Sequence, residues 1–301
     1  MEKFVPYFYF PTTTLFVDDD SDFLKLIAYK APAGSMVLSE TLSEKALKTI
    51  QESHGEYNAI TENFHKEINS NEVGQEATFS FRRVTSNRKR HDLISVVIVD
   101  YSMPGFSGID ICKSINDLPM KKVLLTGEAD HKFGVKSLND GIIDRFVVKD
   151  NEEITSSLFK YILELKKCYF VEASKKISKK LYSWQNSLVI KNLFENFILK
   201  FNIVEYYLLN TSGSYVGYAK NGSTFFFIIQ SESEIRELVD IAVDNEADES
   251  ILQGLENRST VLFFPEESDV HEPVSEWGRF VYPCNQIKAE DETYYYTFVE
   301  N

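Results

Sequence analysis

Cysteine is scarce in this chain, with three among 301 residues, at Cys112, Cys168 and Cys284. They are odd in number and far apart, with no CxxC pair and no neighbouring histidine, so a disulfide framework and a thiolate metal site are excluded. Such thiols suit a reducing, cytoplasmic setting. Long apolar runs are missing too. Stretches such as Phe225 to Ile229 fall far short of the roughly 20 residues that a membrane helix needs, and no membrane insertion is expected. The aromatic start (Phe4, Tyr7, Phe8, Tyr9, Phe10) is broken by Pro6 and Pro11. It lacks the basic-then-apolar order of a signal peptide, so export is not indicated. Positive charge is short in the second half, where residues 183–301 hold 7 Lys/Arg against 20 Asp/Glu; residues 1–182 are nearly balanced, 25 against 26. A surface that negative is repelled by nucleic acid, so a DNA-binding output is disfavoured.

What is present describes a folded chain. Hydrophobic residues make up 43% and charged residues 26%, near the averages for globular proteins, and the length exceeds what one core usually organises. Two domains are expected. In the first half, Thr13 to Val17 is a short β-branched and apolar run that ends abruptly in Asp18, Asp19 and Asp20. A helical pattern follows, with Phe23, Leu24, Ile27 and Ala28 on one side. A second buried strand, Ile94 to Val99, ends in Asp100. The carboxyl edge of a parallel sheet is where ligands bind, so the acidic tips should converge there. Neighbouring carboxylates repel unless a cation sits among them, and Mg²⁺ is the hard ion that accepts such oxygens. Two further strands, Val123 to Leu125 and Arg145 to Val148, end in Thr126 and Lys149. A hydroxyl and an ammonium thus join the carboxylates at one edge, a set suited to phosphoryl transfer.

In order, LFVDDDSDFL, VVIVDYSMPGFSGIDI, VLLTGEAD and DRFVVKD resemble the receiver domains of two-component response regulators, the CheY-like family. The resemblance covers residues 12–165 and implies a flavodoxin-like, doubly wound, parallel five-stranded α/β fold. It makes Asp100 the phospho-acceptor. It makes Asp18 and Asp19 the acidic pair for Mg²⁺, with Asp19 a direct ligand and Asp18 acting mainly through water. Ser102 would add its backbone carbonyl to the metal, while Met103, Pro104 and Gly108 shape the loop after Asp100. Thr126 stands as the switch hydroxyl, Lys149 as the ammonium that pairs with the phosphoryl group, and Phe146 as the aromatic switch. A histidine kinase or phosphotransfer protein would be the donor. Asp150 stands where the family has a proline after its lysine, and Gly127 replaces a common alanine.

Spacing departs further from the family. Asp19 and Asp100 are 81 residues apart, whereas two crossovers of ordinary size need roughly 45. With a second strand at Ser35 to Ser39 and a second helix at Leu42 to Gln51, residues 52–91 read as an insertion. It carries an alternating piece, Thr78 to Phe81, and the basic cluster Arg82, Arg83, Arg88, Lys89 and Arg90. A solvated loop is the expectation, with an anion or acidic partner as the alternative. Apolar spacing from Ile154 through Leu181 reads as the last receiver helix running on into a lysine-rich linker over 166–182. Its stripe suits helix pairing, so a homodimer is expected.

Residues 1–11 read as an N-terminal extension and residues 183–301 as a smaller, acidic α+β output domain. Its signals are a helix at Ser187 to Phe201, three β-rich segments (Val204 to Leu209, Ser214 to Ala219, Thr224 to Gln230) and the hairpin pair Asn221-Gly222. A helix from Glu232, a second short helix and closing strands follow, giving an antiparallel sheet of five or six strands. No helix-turn-helix order, nucleotide-binding glycine loop, HxxEH site or Ser/His/Asp arrangement is found. Trp277 and Tyr294 to Tyr296 read as packing residues. The expected function is a cytoplasmic response regulator whose output works through contacts with a protein target. It would have no enzymatic activity beyond its own aspartyl phosphorylation. The alternatives are a small-ligand-binding or enzymatic output, or transcription control through the basic insertion and linker.

Overall fold

The computed structural model describes residues 4–69, 82–127, 131–149, 154–177, 183–265, 269–290 and 292–301. Two compact units divide the chain. The first is built from Phe10–Asn63 and Val84–Lys176, the second mainly from Met1–Tyr9 and Ile177–Asn301.

The chain opens with β1 (Phe8–Tyr9), which belongs to the second unit's sheet, and then enters the first unit. There it runs β2 (Thr13–Val17), α1 (Ser21–Lys30), β3 (Met36–Glu40), α2 (Ser43–Asn69), α3 (Arg82–Ser86), β4 (Ile94–Asp100), α4 (Gly108–Ser114), β5 (Lys121–Thr126), α5 (His131–Asn139), β6 (Arg145–Val148) and α6 (Ile154–Ile177). The strand order is β3-β2-β4-β5-β6 and every pairing is parallel. Strands β2, β4 and β5 are buried almost throughout, with apolar stretches at Leu15 to Val17, Val96 to Val99 and Val123 to Leu125, because both sheet faces are covered. Alternate residues feed two cores. Leu15, Val17, Val97, Val99 and Leu124 pack with Ala46 and Ile50 of α2 and Ile111 and Cys112 of α4. Phe16, Val96, Ile98, Val123 and Leu125 pack with Leu24 and Ile27 of α1 and Leu158, Ile162 and Leu165 of α6. This is the doubly wound α/β fold.

Instead of closing near Gln51, α2 continues to Asn69. No proline interrupts residues 34–103, and the only glycine within the helix, Gly55, weakens it without ending it. Part of the expected insertion is therefore helical, and the helix is tied to the sheet where Ser53 Oγ accepts from Ile94 N at 2.7 Å. A short 3₁₀ turn, Arg88–Asp92, leads into β4. Arg88 and Lys89 are exposed there, whereas Arg90 donates to the Thr85 and Asn87 carbonyls. The alternating residues 78–81 lie outside the described residues, as do the side chains of Arg82 and Arg83.

In the second unit, α7 (Leu188–Phe201) precedes β7 (Ile203–Leu208), β8 (Tyr215–Ala219) and β9 (Thr224–Ser231). Then come α8 (Glu232–Asp244), α9 (Glu249–Glu256), β10 (Thr260–Leu262), β11 (Val281–Pro283), β12 (Asn285–Ala289) and β13 (Glu292–Glu300). An antiparallel six-stranded sheet has the order β1-β7-β8-β9-β13-β12, and β10 pairs with β11 separately. The N-terminal extension thus supplies an edge strand. Phe8 pairs with Tyr207, Tyr9 stacks on Tyr206 at 5.6 Å, and Tyr215 Oη donates to the Pro6 carbonyl. Phe194, Phe197 and Phe201 of α7 pack on Tyr206, Tyr215, Phe225, Phe227 and Phe298 of the sheet. Trp277 is buried with α8 and α9, as its reading as a packing residue anticipates. Asn221-Gly222 closes the β8–β9 hairpin, with Gly222 at φ 91°.

Glu232, which opens α8, accepts from Arg258, Arg236 and Tyr295. Chiefly through Arg258, these bonds hold its carboxyl at about 2, below the usual carboxylate range. A depressed folded-state pKa contributes stability above the ordinary value, and that stability is lost as pH falls toward the lowered one. Thermal melts from pH 6 to pH 2 should therefore show a lower starting melting temperature and a shallower acid decline for Glu232→Gln than for the wild type. Parallel curves would contradict this.

Candidate functional site

The site is built at one sheet edge by strand register. Val17 pairs with Val99, Asp100 with Leu125, and Thr126 with Val148, so Asp18, Asp100, Thr126 and Lys149 all arrive at the carboxyl ends. Carboxylate oxygens of Asp18, Asp19 and Asp100 lie within 4.8 Å of one another. Asp18 and Asp100 are buried and Asp19 is exposed. Lys149 Nζ donates to Asp18 Oδ2 and Asp100 Oδ1, both at 2.7 Å. Asp100 Oδ2 accepts from Ser102 N at 3.0 Å, and Asp18 Oδ1 from Asp20 N at 3.0 Å.

Burial raises the pKa of Asp18 above its ordinary value, and the Lys149 hydrogen bond offsets only part of that rise. Burial also works against the charge of Lys149, but the Asp100 and Asp18 carboxylates outweigh it and raise its pKa. One cation thus serves two buried anions. An all-oxygen set of three carboxylates suits a hard cation such as Mg²⁺, which takes oxygen ligands and retains waters. Thr126 Oγ1 is fully buried with no hydrogen-bond partner among the described residues, leaving a hydroxyl at this edge with a free donor.

The third aspartate of the triple run has a separate task. Asp20 caps α1, its side chain accepting from Asp22 N and Phe23 N, and it stands outside the carboxylate cluster. The Ser-Asp-Phe that follows it reads as a helix start and was the available signal for this role. Phe23, turned in by that cap, lies with its ring 4.9 Å from Lys149 Nζ. Phe146 is half-buried against the α2/α4 core, and Gly134 of α5 approaches so closely that a Cβ there would stand 2.9 Å from its ring. Sequence reasoning missed Phe23 and Gly134, because both contacts lie between distant segments. Ser102 is exposed; Asp150 lies outside the described residues.

Carboxylates and an ammonium at the carboxyl edge of a five-stranded parallel sheet define a CheY-like receiver fold. The whole chain is similar to the Legionella pneumophila response regulator LqsR, with 28% identity and a TM-score of 0.81, covering 100% of this chain and 91% of that one. Weaker likenesses include a CheY-like receiver domain protein of Methanospirillum hungatei (19% identity, TM-score 0.37, 54% of this chain and 98% of that one). Another is an adenylate cyclase of Rhodopirellula baltica (21%, 0.39, 55% and 95%). Likenesses of that size carry no argument about function. No protein-family model and no curated protein matches the chain.

Gly108 makes the loop after Asp100 possible, since a Cβ there would fall 2.1 Å from the Asp100 carbonyl oxygen. Gly108→Ala must displace either α4 or β4. It should cost about 1–3 kcal/mol in denaturant unfolding of the first unit. An unchanged midpoint would mean that the loop yields freely.

Proposed function

We propose that this protein is a response regulator that accepts a phosphoryl group on Asp100 and passes the change to its acidic second unit. The arrangement that carries the reading is the Asp18–Lys149–Asp100 bridge beside Asp19. A carboxylate oxygen of Asp100 attacks the phosphorus of the donor. The new P–O bond makes an acyl phosphate, and the bond to the leaving group breaks, its electron pair going to acetate or to a histidine nitrogen. Asp18, Asp19, Asp100 and the Ser102 backbone carbonyl would hold Mg²⁺, which supplies charge neutralisation of the phosphoryl oxygens when bound. Lys149 contacts Asp100 at 2.7 Å and offers its ammonium to an incoming phosphoryl oxygen. Thr126 donates its unpartnered hydroxyl to the same group, and Phe146 moves with it as the aromatic switch.

The donor is a histidine kinase or phosphotransfer protein, and the output acts on a protein target. DNA is a poor partner for a second half with a balance of −13. Exposed Phe133, Val135 and Leu138 on α5 and Leu163 on α6 support a homodimer. No helix among the described residues is long and apolar enough to cross a membrane; the cytoplasmic location follows from the response-regulator reading.

Incubation with Mg²⁺ and acetyl phosphate, read on a phosphate-affinity gel, should shift the wild-type protein and leave Asp100→Asn unshifted. An equal shift of the variant would remove Asp100 from this role.

A further inference from the structure

We propose that Phe23 is a positioning residue for Lys149, its ring holding the ammonium at the acceptor site; this rests on the phospho-acceptor reading above. Two observations carry it. The Lys149 ammonium stands 4.9 Å from the Phe23 ring, inside the distance at which a ring's negative face attracts a cation. Phe23 itself is fixed from two sides. The Asp20 side chain accepts its backbone N–H at 3.1 Å, locking the first turn of α1, and its ring packs beside the core formed by Phe16, Leu24 and Leu158. Its backbone is thus held by the cap and part of its ring by the core.

What the ring adds differs in kind from what the carboxylates add. Asp18 and Asp100 hold Lys149 through one carboxylate oxygen each. Once Asp100 becomes an acyl phosphate, its carboxylate charge gives way to negative charge on the phosphoryl oxygens, and the ammonium must leave its 2.7 Å contact with Asp100 to follow it. The attraction of the ring does not depend on that charge. Phe23 keeps the ammonium over the edge while its partner changes from carboxylate to phosphoryl oxygen. A leucine fills much of the same space without a quadrupole, and a tyrosine retains the ring.

Labelling of the full chain by acetyl phosphate, with Mg²⁺ affinity measured in parallel by calorimetry, separates this role from packing. Phe23→Leu should slow labelling about fivefold, roughly 1 kcal/mol at 1.4 kcal/mol per tenfold, while binding Mg²⁺ as the wild type does. Phe23→Tyr should label at the wild-type rate. Equal rates for leucine and phenylalanine, or a tyrosine variant as slow as leucine, would overturn the proposal. So would a loss of Mg²⁺ affinity matching the loss of rate, since that marks general damage to the edge. A wild-type protein that takes no label would instead remove the acceptor reading, and the role of Phe23 with it.

Discussion

Two buried carboxylates share one ammonium, and the first unit is organised around making that possible. Asp18 and Asp100 sit at the ends of adjacent strands, so without Lys149 their charges would face each other away from water. Lys149 comes from the far edge strand, β6, two strands from β4. It reaches both acids because the sheet is parallel throughout and every strand delivers its last residue to the same side. Reversal of β2, β4, β5 or β6 would send one of the site groups to the opposite edge. The apolar runs of β2, β4 and β5, buried on both faces, are the cost-free part of this arrangement. The constrained part is the loop after Asp100, where Gly108 lies against the backbone of Asp100 itself.

The second unit is held together by other means. Its sheet is antiparallel and its core is aromatic, with three phenylalanines of α7 laid across four strands. The ion cluster at Glu232 ties the start of α8 to Arg258 and Tyr295. Its first strand, β1, is only two residues long and comes from the beginning of the chain, before the receiver-like unit. The two units are thus joined at more than one point along the sequence, not only through α6.

Most of the first unit was legible in the sequence because its signals are local. A short apolar run ending in acid, repeated, announces a parallel strand with chemistry at its tip, and Asp18, Asp19, Asp100, Thr126 and Lys149 could all be placed that way. The hairpin at Asn221-Gly222 and the capped helix from Glu232 were legible for the same reason. Elements defined by distant pairing were not. Strand β1 has two residues and two flanking prolines, so nothing within it marks pairing with β7. Strand β12, with exposed Asn285, Gln286 and Lys288, owes its conformation to β13. Helix α2 was cut short because the polar residues after Gln51 read as loop, although the stretch contains no proline to stop it. Within the site, Asp18 and Asp19 were read as the acidic pair, while the capping role of Asp20 showed only in its bonds to Asp22 N and Phe23 N.

The proposed acceptor is Asp100, paired with Lys149. Borohydride reduction of the protein after phosphodonor treatment converts an aspartyl phosphate to homoserine, and peptide mass spectrometry then locates it. Homoserine should appear at position 100 and at no other aspartate. Homoserine at Asp18 or Asp19, or none in a protein that has taken up phosphate, would contradict it.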